Sequence, residues 1–405
     1  MISTFGDAFE VDPKVRIAKN TEVPFVEMAD IEPWNRSAHA KGRKKFSGGS
    51  KFLDGDVLVA RITPSLENGK TSIYKADQLD KNTPAGGSTE FIIVRGIPGK
   101  SISEFAYYLL RTADLRAHLI ANMNGSSGRQ RVQADALRNY VVDLPSIEEQ
   151  QRIAGVLGAL DDKIESNRQV CSLIDLLATE LFCDRFTVHT RGGTSDLMTI
   201  GDIGEIVGGG TPSKKVEEYY ADSGIAWLTP RDLSKDRSIF RQHGEFDISE
   251  LGLRKSSARL LPRGTVLFTS RAPIGYIAIA SGETSTNQGF KSIVPHSNFG
   301  TPFTFYLLKQ LTPEIVTSAN GSTFKEISKS GLAKVSFKSP STEAVQAFNA
   351  TIQPLLDLQE VKEIENCQLS QLRDTLLPEL MSGRMRVDKA GCLVSEALDE
   401  EVADV

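Results

Sequence analysis

The chain has 405 residues, too many for one ordinary hydrophobic core, so two or more domains are expected. It is 40% hydrophobic and 24% charged, the make-up of a soluble globular protein, and it offers no run of apolar residues long enough for a membrane span. The net charge of −5 argues at first against a polyanionic partner, but residues 1–146 carry +3, 147–186 carry −4, 187–342 carry +4 and 343–405 carry −8. Two mildly basic blocks thus alternate with two acidic ones, and the basic blocks stay free to approach a polyanion.

The opening "MISTFGDAFEVDPK" has neither a basic nor an apolar region of the kind a secretory signal needs. Short β-type runs follow, "DVLVAR", "EFIIVRG" and "YVVDLP", punctuated by Gly and Pro. One helical stretch, "SEFAYYLLRTADLRAHLIANM", lies among them. These runs make a first head, residues 1–146. The next stretch, 147–190, reads as a long helix, about 60 Å at ~1.5 Å per residue. Ile153, Leu157, Leu160, Ile164, Asn167, Cys171, Ile174, Ala178 and Leu181 recur at steps of four and three, the seam of a coiled coil. Asn167 on that seam is either a partly exposed polar position or a buried Asn that fixes register.

A second head, 191–341, repeats the plan with "IAWLTP", "GTVLFTS", "YIAIA" and "KSIVP" and its own helical stretch "PFTFYLLKQLTPEIVTSA". A second long helix is expected within 342–387, with Phe348, Ile352, Leu355, Leu358, Leu369, Leu372 and Leu376 as its stripe and Lys362, Glu365 and Asn366 blurring the middle. An acidic tail, 388–405, is expected to be flexible. The two heads are copies in order: Gly55 and Val57 match Gly264 and Val266, "NGSS" (124–127) matches "NGST" (320–323), and Pro145 matches Pro340. Neither long helix can hide its apolar face alone, so they should pack antiparallel. The fold class is therefore α+β: two β-rich α/β heads separated by two long helices forming an antiparallel coiled coil, with a pseudo-twofold internal repeat.

Catalytic chemistry is hard to find. "ENGKTS" (67–72) imitates a phosphate loop, but the first Gly of that motif would fall at Pro64. The glycines 208–210 precede "TPSKK" and not a helix. His39, His118, His189, His243 and His296 are scattered, without metal-ligand spacing. Cys171, Cys183, Cys367 and Cys392 form no CxxC pair, which fits a reducing cytoplasm and neither zinc nor disulfides. Asp161 and Asp162 read as solvated helix surface, not as an acid pair. No metal, and no catalytic role for this chain, is expected.

Three stretches resemble one family. "PSIEEQQRIAGVLGALDDKIESNRQ" (145–169) resembles the first conserved helix of type I restriction–modification specificity subunits, "LRDTLLPELMSGRMRV" (372–387) the end of their second, and "GGGTPSKKVEEYYADSGIAWLTPRDL" (208–233) the opening of a target-recognition domain. The stretch "PSTEAVQAFNATIQ" (340–353) departs from the form of the first helix. The resemblance implies a DNA-reading chain without activity of its own. Each head would read one half of a split double-stranded target, and the helices would act as spacer. Two methyltransferase subunits would dock there and supply S-adenosylmethionine chemistry, and two motor nuclease subunits would join to cut. A structural or interaction protein with two heads on a coil remains the alternative, and it leaves the basic heads unexplained.

Phosphate contacts would position such a protein and base edges would specify the sequence. Candidate contacts in the first head are Arg61, Thr63, Ser65, Asn68 and Lys70 after a strand, and Ser126, Ser127, Arg129 and Arg131 after the NGS turn. In the second they are Thr211, Ser213 and Lys214 after the glycines, then Arg231, Ser270, Arg271, Asn287, Gln288 and Lys291, and Ser322, Thr323 and Lys325 after the second NGS turn. Ordinary turn chemistry is the competing reading for each. Trp227 is expected in the core, and "GRKKF" (42–46) is either a phosphate-gripping cluster or a plain solvated loop. The coil-packing set is Ile153, Leu157, Leu160, Ile164, Asn167, Ile174, Leu181, Ile352, Leu355, Leu369, Leu372 and Leu376.

Overall fold

A computed structural model describes residues 2–126, 128–186, 196–235, 238–319 and 325–399. The chain forms two compact units, Met1–Glu165 with Cys367–Val405, and Ser166–Asn366. The long helices Ile147–Arg185 and Thr342–Met381 each contribute to both.

The units share one sheet plan. In the first, a five-stranded sheet runs in the order Phe9–Val11, Phe91–Gly96, Val57–Ala60, Thr71–Tyr74, Ser37–Ala38. In the second the order is Gly204–Gly208, Lys291–Pro295, Val266–Ser270, Ile274–Ala280, Phe240–Arg241. Each unit adds a four-stranded sheet and a two-stranded ribbon. Registers coincide: Ile2 faces Asp143 as Leu197 faces Lys338, and Val57 faces Val94 as Val266 faces Ile293. Gly55 and Gly264 turn into the matching strands at φ +85° and +82°, a region where a side chain is strained.

The central strands are Val/Leu/Ile/Phe runs buried on both faces: helices cover one face, packing on Val57, Val59, Val266 and Phe268, and the four-stranded sheet side covers the other, packing on Leu58 and Leu267. The covering helices differ. In the second head it is continuous over Gly300–Ser318, with Pro313 inside it. In the first, Thr112 adopts an extended backbone (ψ 144°) and its hydroxyl donates to the Leu109 carbonyl (2.7 Å), so the expected single stretch is two helices, Ser103–Arg111 and Ala113–Ala121.

The long helices run antiparallel within the second unit. Asn167 meets Glu365, Cys171 meets Gln359, and Phe182 meets Phe348 (ring centroids 5.5 Å apart). Asn167 is 2% exposed, and its amide donates to Glu365 Oε2 (2.9 Å) and Asn366 Oδ1 (3.1 Å). It thus stands in the interior, as a register-fixing Asn would. Ile153, Leu157, Leu160, Ile164, Ile174, Ile352, Leu369 and Leu376 are buried. Leu181, Leu355 and Leu372 are only half-buried, and Leu358 is 42% exposed; Phe182, Leu356, Gln359 and Arg373 hold the interior beside them. The stripe therefore sits one residue away from the apolar reading at those points, with polar Gln359 and Arg373 turned inward at two of them.

Gln150 fastens the first long helix to its head. It is fully buried, its amide donates to the carbonyls of Lys100 and Pro145 (3.0 Å each), and it accepts from the Ile102 N–H (3.2 Å). Buried Val345, in the first turn of the second long helix as Gln150 is in that of the first, has no such capacity, which gives the divergent "PSTEAV" stretch a physical meaning.

Asp161 is not solvated surface. It is 5% exposed and accepts from Tyr108 Oη and Arg373 Nη1 (2.7 Å each), with Arg111 at 3.9 Å. Asp162 is exposed and pairs with Arg36 (2.6 Å). Burial pushes the Tyr107 phenol up to about 12, against the pull of Arg111, and pushes Tyr108 well above its ordinary value. A folded group with a raised pKa favours the fold fully below its unfolded pKa, near 10 for tyrosine, and loses that contribution as pH climbs through the folded value. Above pH 10, then, the phenolates of Tyr107 and Tyr108 should appear only with unfolding of this unit. A tyrosinate absorbance step that precedes loss of helical circular dichroism, and that disappears in the Tyr107→Phe, Tyr108→Phe double variant, would contradict it.

The acidic tail is not wholly flexible. Val387–Asp399 is a helix whose Val387, Ala390 and Val394, spaced three and four apart, are buried in the first unit, with Asp388 paired to Arg152.

Candidate nucleic-acid interface

Each head carries the same edge. Where the strand Val57–Ala60 ends, the Arg61 N–H donates to the Glu90 carbonyl (2.9 Å) and the Arg61 carbonyl accepts from Val132 N–H (2.9 Å). Where Val266–Ser270 ends, Ser270 makes the same pair of bonds with Gly289 (2.7 Å) and Ile327 (3.0 Å). Ile62 bridges Arg131 as Arg271 bridges Glu326, and a cis proline, Pro64 or Pro273, follows in both. The backbone thus brings the loop after the strand against the segment after the NGS turn twice over.

The side chains on these matched edges differ. In the first head Arg61 is half-buried and donates to Val132 O (3.1 Å) and Gln133 Oε1 (2.7 Å). Arg131 grips Glu90 with bonds of 2.7–3.0 Å, and that hydrogen bonding holds the Glu90 carboxyl below its usual range. Thr63 donates to Gln130 O (3.2 Å). Lys70 donates to Met28 O (2.8 Å), and burial lowers its pKa. Ser65 is half-buried, while Asn68, Ser126 and Arg129 are exposed. Ser127 lies outside the described residues.

In the second head Arg271 and Lys291 both approach Glu326 (3.6 and 3.8 Å), burial lowers the Lys291 pKa, and Lys325 is exposed beside them. Ser322 and Thr323 lie outside the described residues. Ser270 is a correction: it is fully buried and donates to the Gly289 carbonyl (3.1 Å), so it builds the strand end and cannot touch a ligand. The side chain that emerges is Arg271.

A second gathering lies in the same unit. Thr211, Lys214, Arg231, Asn287 and Gln288 line one cavity of about 530 Å³, with exposed Ser213 on the same loop. That loop is pinned by Gly210 N–H to Thr286 O (2.8 Å), by the Trp227 indole N–H to Gly210 O (3.0 Å), by Tyr220 Oη to Pro212 O (2.9 Å) and by Thr211 to Gln288. Trp227 is 4% exposed, at home in the core, yet it also lines the cavity. Tyr220, Thr229, Asp232, Glu245 and Phe246 complete the lining and were not singled out by the sequence reading. One signal was available: "TPRD" is the T-x-x-D of a helix start, and Asp232 does accept from both Thr229 N–H and Oγ1.

The "GRKKF" segment is neither free cluster nor loop. Gly42–Lys45 is an exposed edge strand, with Arg43 held by Asp80 (2.7 Å) and Lys44 by Glu27. Among the described residues no group of His, Cys, Asp and Glu is arranged to hold a metal, and no helix is long and apolar enough to cross a membrane.

Two copies of one α/β domain, each followed by a long helix, are the class that this architecture defines. The sequence matches the family described as type I restriction modification DNA specificity domain over residues 3–174 and again over 193–371. The chain belongs to that family, as a specificity subunit with two such domains. It is 40% identical over 173 residues to the type I restriction enzyme MjaIX specificity subunit of Methanocaldococcus jannaschii, a match spanning 42% of this chain and 40% of that one. It is 22% identical over 406 residues to the HindI specificity subunit of Haemophilus influenzae, spanning 82% and 86%. The crystal structure of a type I restriction-modification system S subunit from M. genitalium covers 94% of this chain and 95% of its own, with a TM-score of 0.56 and 15% identity, a likeness of fold.

Proposed function

We propose that this chain is the non-catalytic reading subunit of a type I restriction–modification complex. Each head reads one half of an asymmetric split target in double-stranded DNA. The helices set the unread gap and carry the methyltransferase subunits, whose S-adenosylmethionine chemistry modifies the site; motor nuclease subunits complete the complex. The observation that carries this reading is the matched edge. One backbone frame recurs in both heads with different cations on it: Arg129 and Arg131 in the first, Arg271 and Lys325 in the second. One scaffold with two side-chain sets suits two unlike half-sites. Leu173, Leu176 and Leu177, 65%, 58% and 49% exposed on the first long helix, supply apolar surface for a docked subunit.

A base-resolution methylation map of host DNA, with the gene intact and deleted, tests the reading. Loss of one split motif on deletion is expected, and an unchanged map overturns it.

The two cations of the second edge should behave differently. Arg271→Ala is expected to lower affinity for the target about 10–100-fold and relax discrimination at one position, as loss of a bidentate base contact does. Lys325→Ala should weaken binding evenly across sequences and reduce the slope of log K against log salt by about 1. Titrations of wild type and both variants against salt check this; an identical slope and specificity for both variants would remove them from the interface.

A further inference from the structure

We propose that the cavity in the second head takes a single nucleobase of its half-site, unstacked from the duplex. The inference rests on the reading of this head as DNA-binding, and it names a ligand for a cavity that the family match does not assign.

The cavity is about 530 Å³, in the range that encloses a small planar ligand. Its lining is aromatic where a base needs a stacking face. Trp227 and Tyr220 meet at 78° with ring centroids 5.9 Å apart, and Phe246, paired with Trp227 across the sheet, is 57% exposed. Such an apolar ring left in water is a stacking platform without an occupant.

Its polar groups suit a base edge. The Gln288 carbonyl is taken by Thr211 and the Asn287 carbonyl by the Gly289 N–H (2.8 Å), which leaves both amide NH₂ groups as donors without partners among the described residues. Ring nitrogens and carbonyls of a base are acceptors for such donors. Lys214 and Arg231 are exposed at the lining and can meet the phosphates on either side of a displaced nucleotide. The acidic groups do not oppose this. Asp232 is occupied by Thr229 and the Glu245 N–H, and Glu245 is paired with Lys235 (2.8 Å) and near Arg231 (3.8 Å), leaving Glu217 as the exposed carboxylate of the lining.

The first head shows what the same sheet looks like when closed. Phe25 faces Gly86 in the parallel pair where the second head has Trp227 facing Ser285. Phe46 and Phe25 lie so close over Gly86 that a Cβ there would fall 2.8 and 3.1 Å from their rings. Lys44 and Lys51 then cap those rings at 5.2 and 5.3 Å. Gly42 stands where the second head has Phe246. The first head covers its aromatic surface with its own lysines, and the second leaves it open.

Extruding a base costs pairing and stacking, so a mismatch at the extruded position removes part of that cost and tightens binding. The experiment takes the full chain in complex with its methyltransferase and duplexes bearing its mapped target. Each base pair of the second half-site is replaced in turn by a mismatch that keeps the reading strand. One position other than the methylated base should bind roughly tenfold tighter when mismatched. That gain should vanish in Phe246→Ala and in Gln288→Ala, whose exposed side chains leave the fold intact. If every such mismatch weakens binding, or the gain persists in both variants, the proposal is overturned while DNA reading stands. Absence of salt-dependent binding by the wild-type complex would sink both.

Discussion

Arg373→Ala should destabilise the first unit by about 3–5 kcal/mol, the usual cost of removing one partner of a buried ion pair. The Arg373 and Asp161 side chains are 6% and 3% exposed, and they join the two long helices at 2.7 Å. Burial works against the arginine's charge, but bonds to Asp374 and Asp161 outweigh it and hold the guanidinium protonated. Without Arg373, the Asp161 carboxylate keeps Tyr108 as donor, and its closest remaining ion-pair partner is Arg111, at 3.9 Å, with Arg36 farther off. Denaturant titration of the purified chain measures the loss. The double variant Asp161→Leu with Arg373→Met should recover most of it, since both charges then leave together. A single-variant loss below about 1 kcal/mol would mean that water reaches the pair.

The second large effect concerns register. Seven residues inserted into the first long helix alone, within 153–181, should abolish methylation at the old target. A heptad preserves the inward face, so the helix itself survives. But it lengthens one member of the pair by about 10 Å. Placed between Asp161 and Asn167, it breaks the match between the Asp161–Arg373 bond and the Asn167–Glu365 bond, six residues apart on the first helix and eight on the second, so that both cannot then form. Matched heptads in both helices should restore folding and move recognition to a target with a longer gap. Normal activity of the single insertion at the original site would sink the spacer role.

The repeat and both long helices were legible because they rest on patterns that backbone geometry imposes: a glycine at positive φ before a strand, a proline after one, apolar residues at steps of three and four. The seam of the second helix slipped at Leu358 and Leu372 because the sequence reading followed hydrophobicity, whereas the interior there is held by Gln359 and Arg373; Gln359 bonds Glu363 on its own helix, and Arg373 finds Asp161 far along the chain. Asp161 misled for the same reason, since Tyr108 and Arg373 stand 53 and 212 residues away. At the interface, the residue types in the loops were readable, but not which would point outward. Ser270 ends its strand and Arg271 follows in the bridge to Glu326, so extended-chain alternation buries one and presents the other, and only the register of that bridge decides which. The tail helix was hidden by composition: its charges outnumber the three small apolar residues that dock it.

The division of the long helices between the units sets an order of assembly. The second unit is one unbroken stretch, Ser166–Asn366, whereas the first is made of Met1–Glu165 and a closing segment that begins at Cys367. During synthesis at about 5–20 residues per second, the first head therefore waits for some 200 residues, on the order of 10–40 s, before its helix partner exists. The head made first is finished last, and until then the face around Leu157, Leu160 and Asp161 is open to chaperones and proteases. A ribosome that stalls after Asn366 would leave a complete second unit attached to an unclosed first, so the subunit's yield in the cell should depend on its final stretch of translation.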